Sequence, residues 1–233
     1  MFTLDRVVPW GRSFDEYRHM FALSEIDLRA RILGCADGPA EFNAEATRRG
    51  ATVVSCDPLY GADSSQIRRR IESTFDEMLD QTRRNADEFV WDTITSVDEL
   101  AVLRKSAMEA FLADYDEGKI AGRYVEGELP TLPFPSRSFD VAVCSHFLFL
   151  YSDQLGEAFH MKAVHDLCRV AREVRIFPLL ALGSRPSPYV DTIVEAARNS
   201  GCDVSIEMVP YEFQRGGNQM LRIRRHPATH RSP

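Results

Sequence analysis

Residues 31–57 constrain the fold of this chain more than any other stretch, because they follow the order strand, tight turn, helix, strand and acid. A short apolar run at Ile32 and Leu33 leads into a glycine-containing turn at 34–38. An amphipathic helical pattern follows, and a second apolar run stops at Asp57. This order is typical of a parallel βαβ unit, which holds an adenosine-bearing ligand at the carboxyl ends of its strands.

The glycines and the acid of this segment suit a nucleoside ligand. Gly34 and Gly38 let the backbone turn sharply and approach a ligand where a β-carbon would collide. The free N–H groups of the following helix then face that ligand. Asp57 follows at about the twenty-residue distance at which an acid on the next strand accepts the hydroxyls of a ribose. An ordinary strand–helix connection would explain the glycine turn alone, so the prediction depends on the acid.

The turn departs from the G-x-G-x-x-G fingerprint of dinucleotide-binding proteins. It reads G-C-A-D-G-P, so that Pro39 removes a backbone donor and Asp37 brings a carboxylate to the phosphate position. A pyrophosphate would be repelled there, whereas a cationic ligand would not. An NAD-type oxidoreductase is therefore the less favoured hypothesis.

Residues 127–146, with the sequence GELPTLPFPSRSFDVAVCSH, resemble a region of the class I S-adenosylmethionine-dependent methyltransferases. The turn at 34–38 is similar to the G-C-G-x-G turn of this family, with Ala36 in the place of its second glycine. Ile32 stands where the family has an acid, for which Asp37 is the nearest substitute. The resemblance extends over about residues 30–225.

The resemblance implies S-adenosyl-L-methionine as the cofactor and a role for each matching residue. The turn at 34–38 would hold the methionine part, Asp57 the ribose, and Glu128 with Leu129 the adenine, while Ser145 would form a pocket wall. The predicted cofactor-binding residues are Gly34, Cys35, Ala36, Asp37, Gly38, Asp57, Pro58, Glu128, Leu129 and Ser145.

His146, just after the predicted strand 139–145, is the candidate catalytic residue. Methyl transfer is an in-line displacement, so a protein mainly positions the reactants and sometimes removes a proton. Histidine suits proton removal near neutral pH. Alternatively, His146 shapes the cofactor pocket only through its backbone. The resemblance also suggests that Tyr17 or Arg18, on a leading helix, reaches the cofactor.

Strands and helices alternate along the chain, which predicts an α/β fold: a Rossmann-like, doubly wound, mostly parallel sheet with an antiparallel C-terminal strand, plus a helical insertion. The methyltransferase-like core is predicted at 1–59 and 123–226, and a flexible tail at 227–233. Two apolar stripes at helical spacing predict two or three helices in the insertion, 60–122. The insertion is interpreted as a lid over the strand tips or as a dimer arm. Further predicted elements are helices at 13–28, 153–171 and 189–200, and strands at 173–180, 204–209 and 219–224.

Composition excludes several classes of function. A net charge of −7 argues against an extended nucleic-acid surface. The five cysteines are scattered without a C-x-x-C pair, which predicts reduced, buried thiols in a cytoplasmic protein and no disulfide framework. We find no apolar run of membrane-spanning length, no signal-peptide pattern at the N-terminus and no cluster with metal-ligand spacing.

The sequence thus predicts a cytoplasmic S-adenosylmethionine-dependent methyltransferase that acts on a small-molecule acceptor. No nucleic acid or membrane partner is expected, and a homodimer is left open. The alternative is a non-catalytic module that keeps the fold and binds S-adenosylmethionine or has a regulatory role. Ile32 and Ala36 are the residues that favour this alternative.

Overall fold

The computed structural model describes residues 8–225, and the predicted tail at 227–233 lies outside the described residues. Within the described part the helices are α1 (Phe14–Met20), α2 (Phe42–Arg48), α3 (Ser64–Arg84), α4 (Val97–Ile120), α5 (Glu157–Val170) and α6 (Val190–Asn199). The strands there are β1 (Arg31–Cys35), β2 (Thr52–Cys56), β3 (Tyr124–Val125), β4 (Phe139–Ser145), β5 (Ala171–Phe177), β6 (Leu180–Ala181), β7 (Arg185–Pro186), β8 (Cys202–Met208) and β9 (Gln219–Arg225).

Seven of these strands form one sheet, in the order β3-β2-β1-β4-β5-β9-β8, within residues 8–225. Strands β1 to β5 run parallel, whereas β9 pairs antiparallel with both β5 and β8. This confirms the predicted α/β sheet with an antiparallel C-terminal strand. Because the chain order reverses between β1 and β4, a crevice lies beyond the carboxyl ends of these strands, where ligands bind in such sheets.

Helices cover both faces of the sheet. On one face α5 and α6 pack through Leu167 and Ile193 against β4, β5 and β9. On the other face α1 and α2 pack through Tyr17 and Phe42, whose rings stack at 4.6 Å, in a cluster that includes fully buried Ile32. The sheet is therefore buried on both sides, as its near-continuous apolar strands require.

The insertion is helical, as predicted, and consists mainly of α3 and α4. Their apolar sides meet in a cluster that includes Ile67, Phe111 and Tyr115 and that reaches Tyr60, just after β2, and Tyr124 of β3. Asp63 caps α3 with a full capping box, and Ser96 caps α4 through the Glu99 N–H at 3.1 Å. The insertion thus packs on the chain segments that follow β2 and precede β3.

Three predicted boundaries are wrong by three residues or more. The leading helix, predicted at 13–28, follows its cap Ser13 but ends at Met20, because Ala22 turns the backbone with φ +46°. Phe21 and Leu23 are nevertheless buried, so the apolar pattern continues beyond the helix. Helix α5 begins at Glu157 rather than at 153, and β5 ends at Phe177, just before Pro178, rather than at 180.

Ser96 followed by Glu99 resembles a capping box in the sequence, but in the structure this box is incomplete. The Glu99 carboxylate accepts hydrogen bonds from the backbone and the hydroxyl of Thr95, at 2.7 and 2.6 Å, and not from the backbone of Ser96.

The two strands predicted at the end of the chain are confirmed as β8 and β9, which pair with each other antiparallel. Among residues 8–225, no helix combines the length and the apolar character needed to cross a membrane.

Candidate active site

A cavity of about 400 Å³ lies at the carboxyl ends of β1 to β4. Its walls come from the loops after these strands, from the segment before α1, from the insertion and from the connection between β8 and β9. Nine of the eleven site residues predicted from the sequence line it: Ala36, Asp37, Gly38, Asp57, Pro58, Glu128, Leu129, Ser145 and His146. The fold therefore brings together residues that lie far apart in the sequence.

The two other predicted residues, Gly34 and Cys35, do not line the cavity. Both belong to β1, and the Cys35 side chain is buried in the core. A β-carbon at Gly34 would collide with the Asp37 carboxylate, so the glycine is required by the turn itself. Ala36 adopts φ +54°, a left-handed conformation that glycine adopts without strain and alanine at a cost of about 1 kcal/mol.

Asp37 folds back beneath the turn. Its carboxylate accepts hydrogen bonds from the hydroxyls of Tyr17 at 2.8 Å and Ser55 at 2.6 Å. Burial raises the pKa of Asp37 to about 6, although these two hydrogen bonds oppose the rise. Tyr17 thus reaches the site through Asp37, whereas Arg18 pairs with Glu25 at 3.2 Å and does not line the cavity.

Asp57 joins the turn after β1 to the turn after β2. One carboxylate oxygen accepts from the Gly38 N–H at 2.9 Å, and the other accepts from the Leu59 N–H at 2.8 Å. Burial raises the pKa of Asp57, while the two backbone hydrogen bonds lower it. Each oxygen keeps a further lone pair, so the carboxylate can accept two hydroxyl groups from a ligand without losing the backbone contacts.

The β3 and β4 ends supply the remaining predicted residues. Glu128 is exposed at the cavity mouth, and the neighbouring Leu129 is buried. Ser145 ends β4, and its Oγ lies 2.9 Å from Nδ1 of His146. The His146 N–H donates to the Phe177 carbonyl at 2.7 Å and its ring packs edge-on against Phe177, so both backbone and side chain are fixed by β5.

The imidazole of His146 is held neutral. Burial lowers its pKa well below the usual value, and the positive charges of Arg12 and Arg104 lower it further. A lowered pKa makes the ring available as a base at neutral pH, but as a weak one. His146 also has φ +49°, a conformation that asparagine tolerates well.

We expect His146 to make the folded state sensitive to acid. The unfolded chain takes up this proton near pH 6.5, whereas the folded chain does not, so the free energy of unfolding falls as the pH drops below about 6.5, by up to about 1.4 kcal/mol per pH unit. Denaturant unfolding between pH 7.5 and 5 gives the slope of the free energy of unfolding against pH for the wild type and for His146→Asn. The difference between the two slopes is the contribution of His146. The comparison cancels the opposite contribution of Asp37, whose proton uptake near pH 6 stabilises the folded state as the pH falls. The variant of an exposed histidine, His19→Asn, should follow the wild type, and an equal slope for His146→Asn would contradict the assignment.

Aromatic residues after β4 contribute unequally. Phe147 and Tyr151 line the cavity, whereas Phe149 is buried in the core and stacks on His160. The alternation of Phe147, Phe149 and Tyr151 in the sequence is also compatible with a buried strand extension, but residues 146–154 form bends and turns. His160 is fully buried and contacts the Leu148 carbonyl at 2.8 Å, so it has a packing role.

Sequence reasoning missed the cationic part of the site. Arg12, Arg70 and Arg104 line the cavity, from the segment before α1 and from both insertion helices. Arg104 is fully buried and forms a two-pronged ion pair with Glu16, with both N–O distances at 2.6 Å. The signal available in the sequence was the run W-G-R-S-F, a glycine and an arginine directly before a capped helix.

The insertion closes part of the cavity. Met78 and Thr82 of α3 line it, as does Phe89 after α3, whose ring stacks on Phe213 at 4.8 Å. Residues of the insertion thus form part of the cavity wall, and lid or dimer arm stays a prediction. Among residues 8–225, no group of three or more His, Cys, Asp or Glu side chains is arranged to hold a metal ion. All five cysteines are free thiols.

Comparison with known sequences gives one curated relative of nearly equal length. The chain is 33% identical to the uncharacterized protein MJ0045 of Methanocaldococcus jannaschii over 224 residues, which cover 96% of this chain and 98% of the relative. No model of a protein family matches the chain.

Comparison with solved structures identifies the fold. Magnesium protoporphyrin IX methyltransferase from Synechocystis PCC 6803 was solved with bound S-adenosylhomocysteine (SAH). The match covers 91% of this chain and 82% of the methyltransferase chain, with a TM-score of 0.50 and 12% identity. An O-methyltransferase family protein from Burkholderia thailandensis matches 89% of this chain and 55% of its own, with a TM-score of 0.48 and 10% identity. The fold is the Rossmann-like fold of class I S-adenosylmethionine-dependent methyltransferases.

Proposed function

The chain belongs to the same protein family as MJ0045 of Methanocaldococcus jannaschii. From the methyltransferase fold and the residues that line the cavity, we propose that it is an S-adenosylmethionine-dependent methyltransferase acting on a small-molecule acceptor. The observation that carries the proposal is the contact between Asp57 and the Gly38 N–H at 2.9 Å, at the edge of the cavity. This contact holds an acid and a tight backbone turn together where the fold binds its ligand.

The residues present fit S-adenosylmethionine. Asp57 offers two carboxylate oxygens to the ribose hydroxyls, and Gly38 brings unobstructed backbone close to the ligand, since no atom would contact a β-carbon there. Glu128 lies at the mouth of the same cavity, and we assign it the role of accepting from the adenine amino group. Asp37 supplies the negative charge that favours a cationic ligand over a pyrophosphate.

When bound, the cofactor supplies a methyl group on a positively charged sulfur, and the protein contributes position and proton transfer. The turn at 36–38 and Asp57 fix the cofactor, while the apolar walls exclude water from the acceptor. His146 is the base nearest the end of β4, and its neutral ring can take a proton from an acceptor that loses one on methylation. The enclosure of the cavity by α3 supports a small acceptor.

A second candidate is a non-catalytic module that binds the same cofactor. Two observations favour it. Ile32, at the position where the family has an acid, is fully buried among apolar side chains, so this position offers no partner to the cofactor. The lowered pKa of His146 also weakens the proposed base.

The proposed function is tested by measuring the formation of S-adenosylhomocysteine (SAH) from S-adenosylmethionine. The purified chain is incubated with a panel of small alcohols, phenols, amines and carboxylic acids, with a reaction lacking acceptor as the background. We expect turnover above background with at least one acceptor class and its loss in Asp57→Ala. Saturable binding of the cofactor without turnover on any acceptor would support the non-catalytic module instead.

A further inference from the structure

Arg12 is a cation without a matching acid. Its Nη1 donates to the Trp10 carbonyl at 3.3 Å, and its Nε is buried without any hydrogen-bond partner. Within residues 8–225, no carboxylate lies within ion-pair distance of this guanidinium, although the residue lines the cavity. A buried, incompletely bonded guanidinium costs free energy unless a ligand completes its hydrogen bonds.

The nearest carboxylate of the same region is already occupied. Both oxygens of Glu16 accept from Arg104 at 2.6 Å, and one also accepts from the Tyr211 hydroxyl at 2.8 Å. Arg104 therefore neutralises Glu16, and Arg12 is left as the net positive charge of this part of the cavity. Burial lowers the pKa of Arg12 and the charge of Arg104 lowers it further, although the charge of Glu16 opposes this.

The backbone around Arg12 is fixed before any ligand binds. A β-carbon at Gly11 would collide with the Pro39 carbonyl and lie 2.7 Å from Met108, so the chain passes here in close contact with its neighbours. The Arg12 carbonyl accepts from the Glu41 N–H at 3.0 Å, at the start of α2. Such a fixed position reduces the conformational entropy that binding would otherwise cost.

Arg12 lies beside an aromatic wall of the cavity, since its Nη1 donates to the carbonyl of Trp10, which packs in that wall. Its charge acts on His146, after β4, and on Tyr151, which faces the same space. Asp57, the predicted ribose partner, is influenced instead by Arg70 and Glu128. The side chains of this aromatic wall line the cavity and pack together in one cluster: Trp10, Phe89, Phe147, Tyr151, Leu182 and Phe213.

We propose that Arg12 determines acceptor specificity by binding the anionic group of an aromatic acceptor, whose ring lies among the surrounding aromatic side chains. A guanidinium recognises a carboxylate or a phosphate through paired hydrogen bonds, and the apolar walls strengthen this pairing by excluding water. The proposal rests on the proposed function, since it assigns the acceptor side of the same cavity.

The test compares probes that share a phenyl ring and differ in their polar group, with phenylacetamide as the neutral counterpart of phenylacetate. Phenylacetate, phenylacetamide and phenyl phosphate are titrated into the wild type, with and without saturating SAH. We expect the wild type to bind at least one anion roughly tenfold or more tighter than the neutral amide. The stronger of the two anions identifies carboxylate or phosphate as the recognised group.

Two variants separate Arg12 from the general charge of the cavity. Arg12→Met should abolish the preference for the anion while changing SAH affinity by less than about threefold, whereas Arg70→Met removes the same charge from the exposed rim and should keep the preference. Arg12→Lys keeps the charge and should retain part of the preference for the anion. This variant provides the test if Arg12→Met proves poorly folded.

Three results would overturn the proposal: equal binding of anion and amide by the wild type, an unchanged preference in Arg12→Met, or loss of SAH binding in that variant. The last result would assign the guanidinium to the cofactor. Failure of the wild type to bind SAH would contradict the proposed function instead, and the titrations without SAH would still measure the anion preference.

Discussion

Replacing Asp57 by alanine is expected to reduce the affinity for SAH by roughly a hundredfold. The carboxylate would form two charge-assisted hydrogen bonds with the ribose hydroxyls, each contributing about 1.5 kcal/mol or more. The substitution also frees the Gly38 and Leu59 N–H groups, which Asp57 now holds at 2.9 and 2.8 Å, so the turn loses its fixed shape. Calorimetric titration of the wild type and the variant with SAH measures the change.

A matched control is Asp191→Ala, which removes an exposed carboxylate from the first turn of α6, outside the cavity. This variant should bind SAH like the wild type. Far-ultraviolet circular dichroism should show that Asp57→Ala remains folded. If folded Asp57→Ala retains wild-type affinity, the ligand does not use the tip of β2, and the assignment of this edge of the cavity is wrong.

Removing Arg104 is expected to cause the largest loss of stability. Arg104 and Glu16 are both buried, and their ion pair joins α4 of the insertion to α1. Arg104→Met would leave the Glu16 carboxylate buried without its cation, at a cost of about 3–5 kcal/mol in the free energy of unfolding. In the double variant Arg104→Met/Glu16→Leu the uncompensated charge is gone, and most of this loss should be recovered.

The matched control is the exposed pair Arg68–Glu109, whose closest contact is 2.7 Å and which joins α3 to α4 within the insertion. Arg68→Met should cost less than about 1 kcal/mol. Denaturant unfolding at pH 7 distinguishes the two cases. Equal losses in Arg104→Met and Arg68→Met would mean that the buried pair does not hold the insertion on the core.

The buried pair of Arg104 and Glu16 also predicts how the free energy of unfolding responds to acid. Burial alone would raise the pKa of Glu16, but the charge and the hydrogen bonds of Arg104 outweigh it and lower the pKa to about 2. The carboxylate therefore stabilises the folded state fully above the unfolded value of about 4.5, and this contribution is lost as the pH falls from about 4.5 to about 2. Glu16→Gln should lack this part of the acid response.

Local patterns were sufficient for most of the fold. The segment from Ile32 to Asp57 carries its own periodicity and turn residues, so strand, turn, helix and strand could be predicted without knowledge of the rest of the chain. The same holds for the two insertion helices and the final hairpin. The leading helix was predicted too long because the residues after Met20 are apolar and buried without being helical.

The cationic half of the site could not be predicted in this way. Glu16 and Arg104 lie 88 positions apart, and no local pattern in the sequence reveals that they pair. Without this pairing, Arg12 is one of many arginines and does not stand out as unpaired. Likewise, the sequence marks Gly34 as a turn residue, but only the folded backbone shows that its role is to make room for Asp37.

The central claim, that the cavity at the strand tips binds S-adenosylmethionine, is tested most directly by titrating the wild-type chain with SAH and, separately, with NADH in a calorimeter. The account predicts saturable binding of SAH with one site per chain and no heat of binding with NADH, because Asp37 disfavours a pyrophosphate. Absence of SAH binding, or saturable binding of NADH, would contradict it.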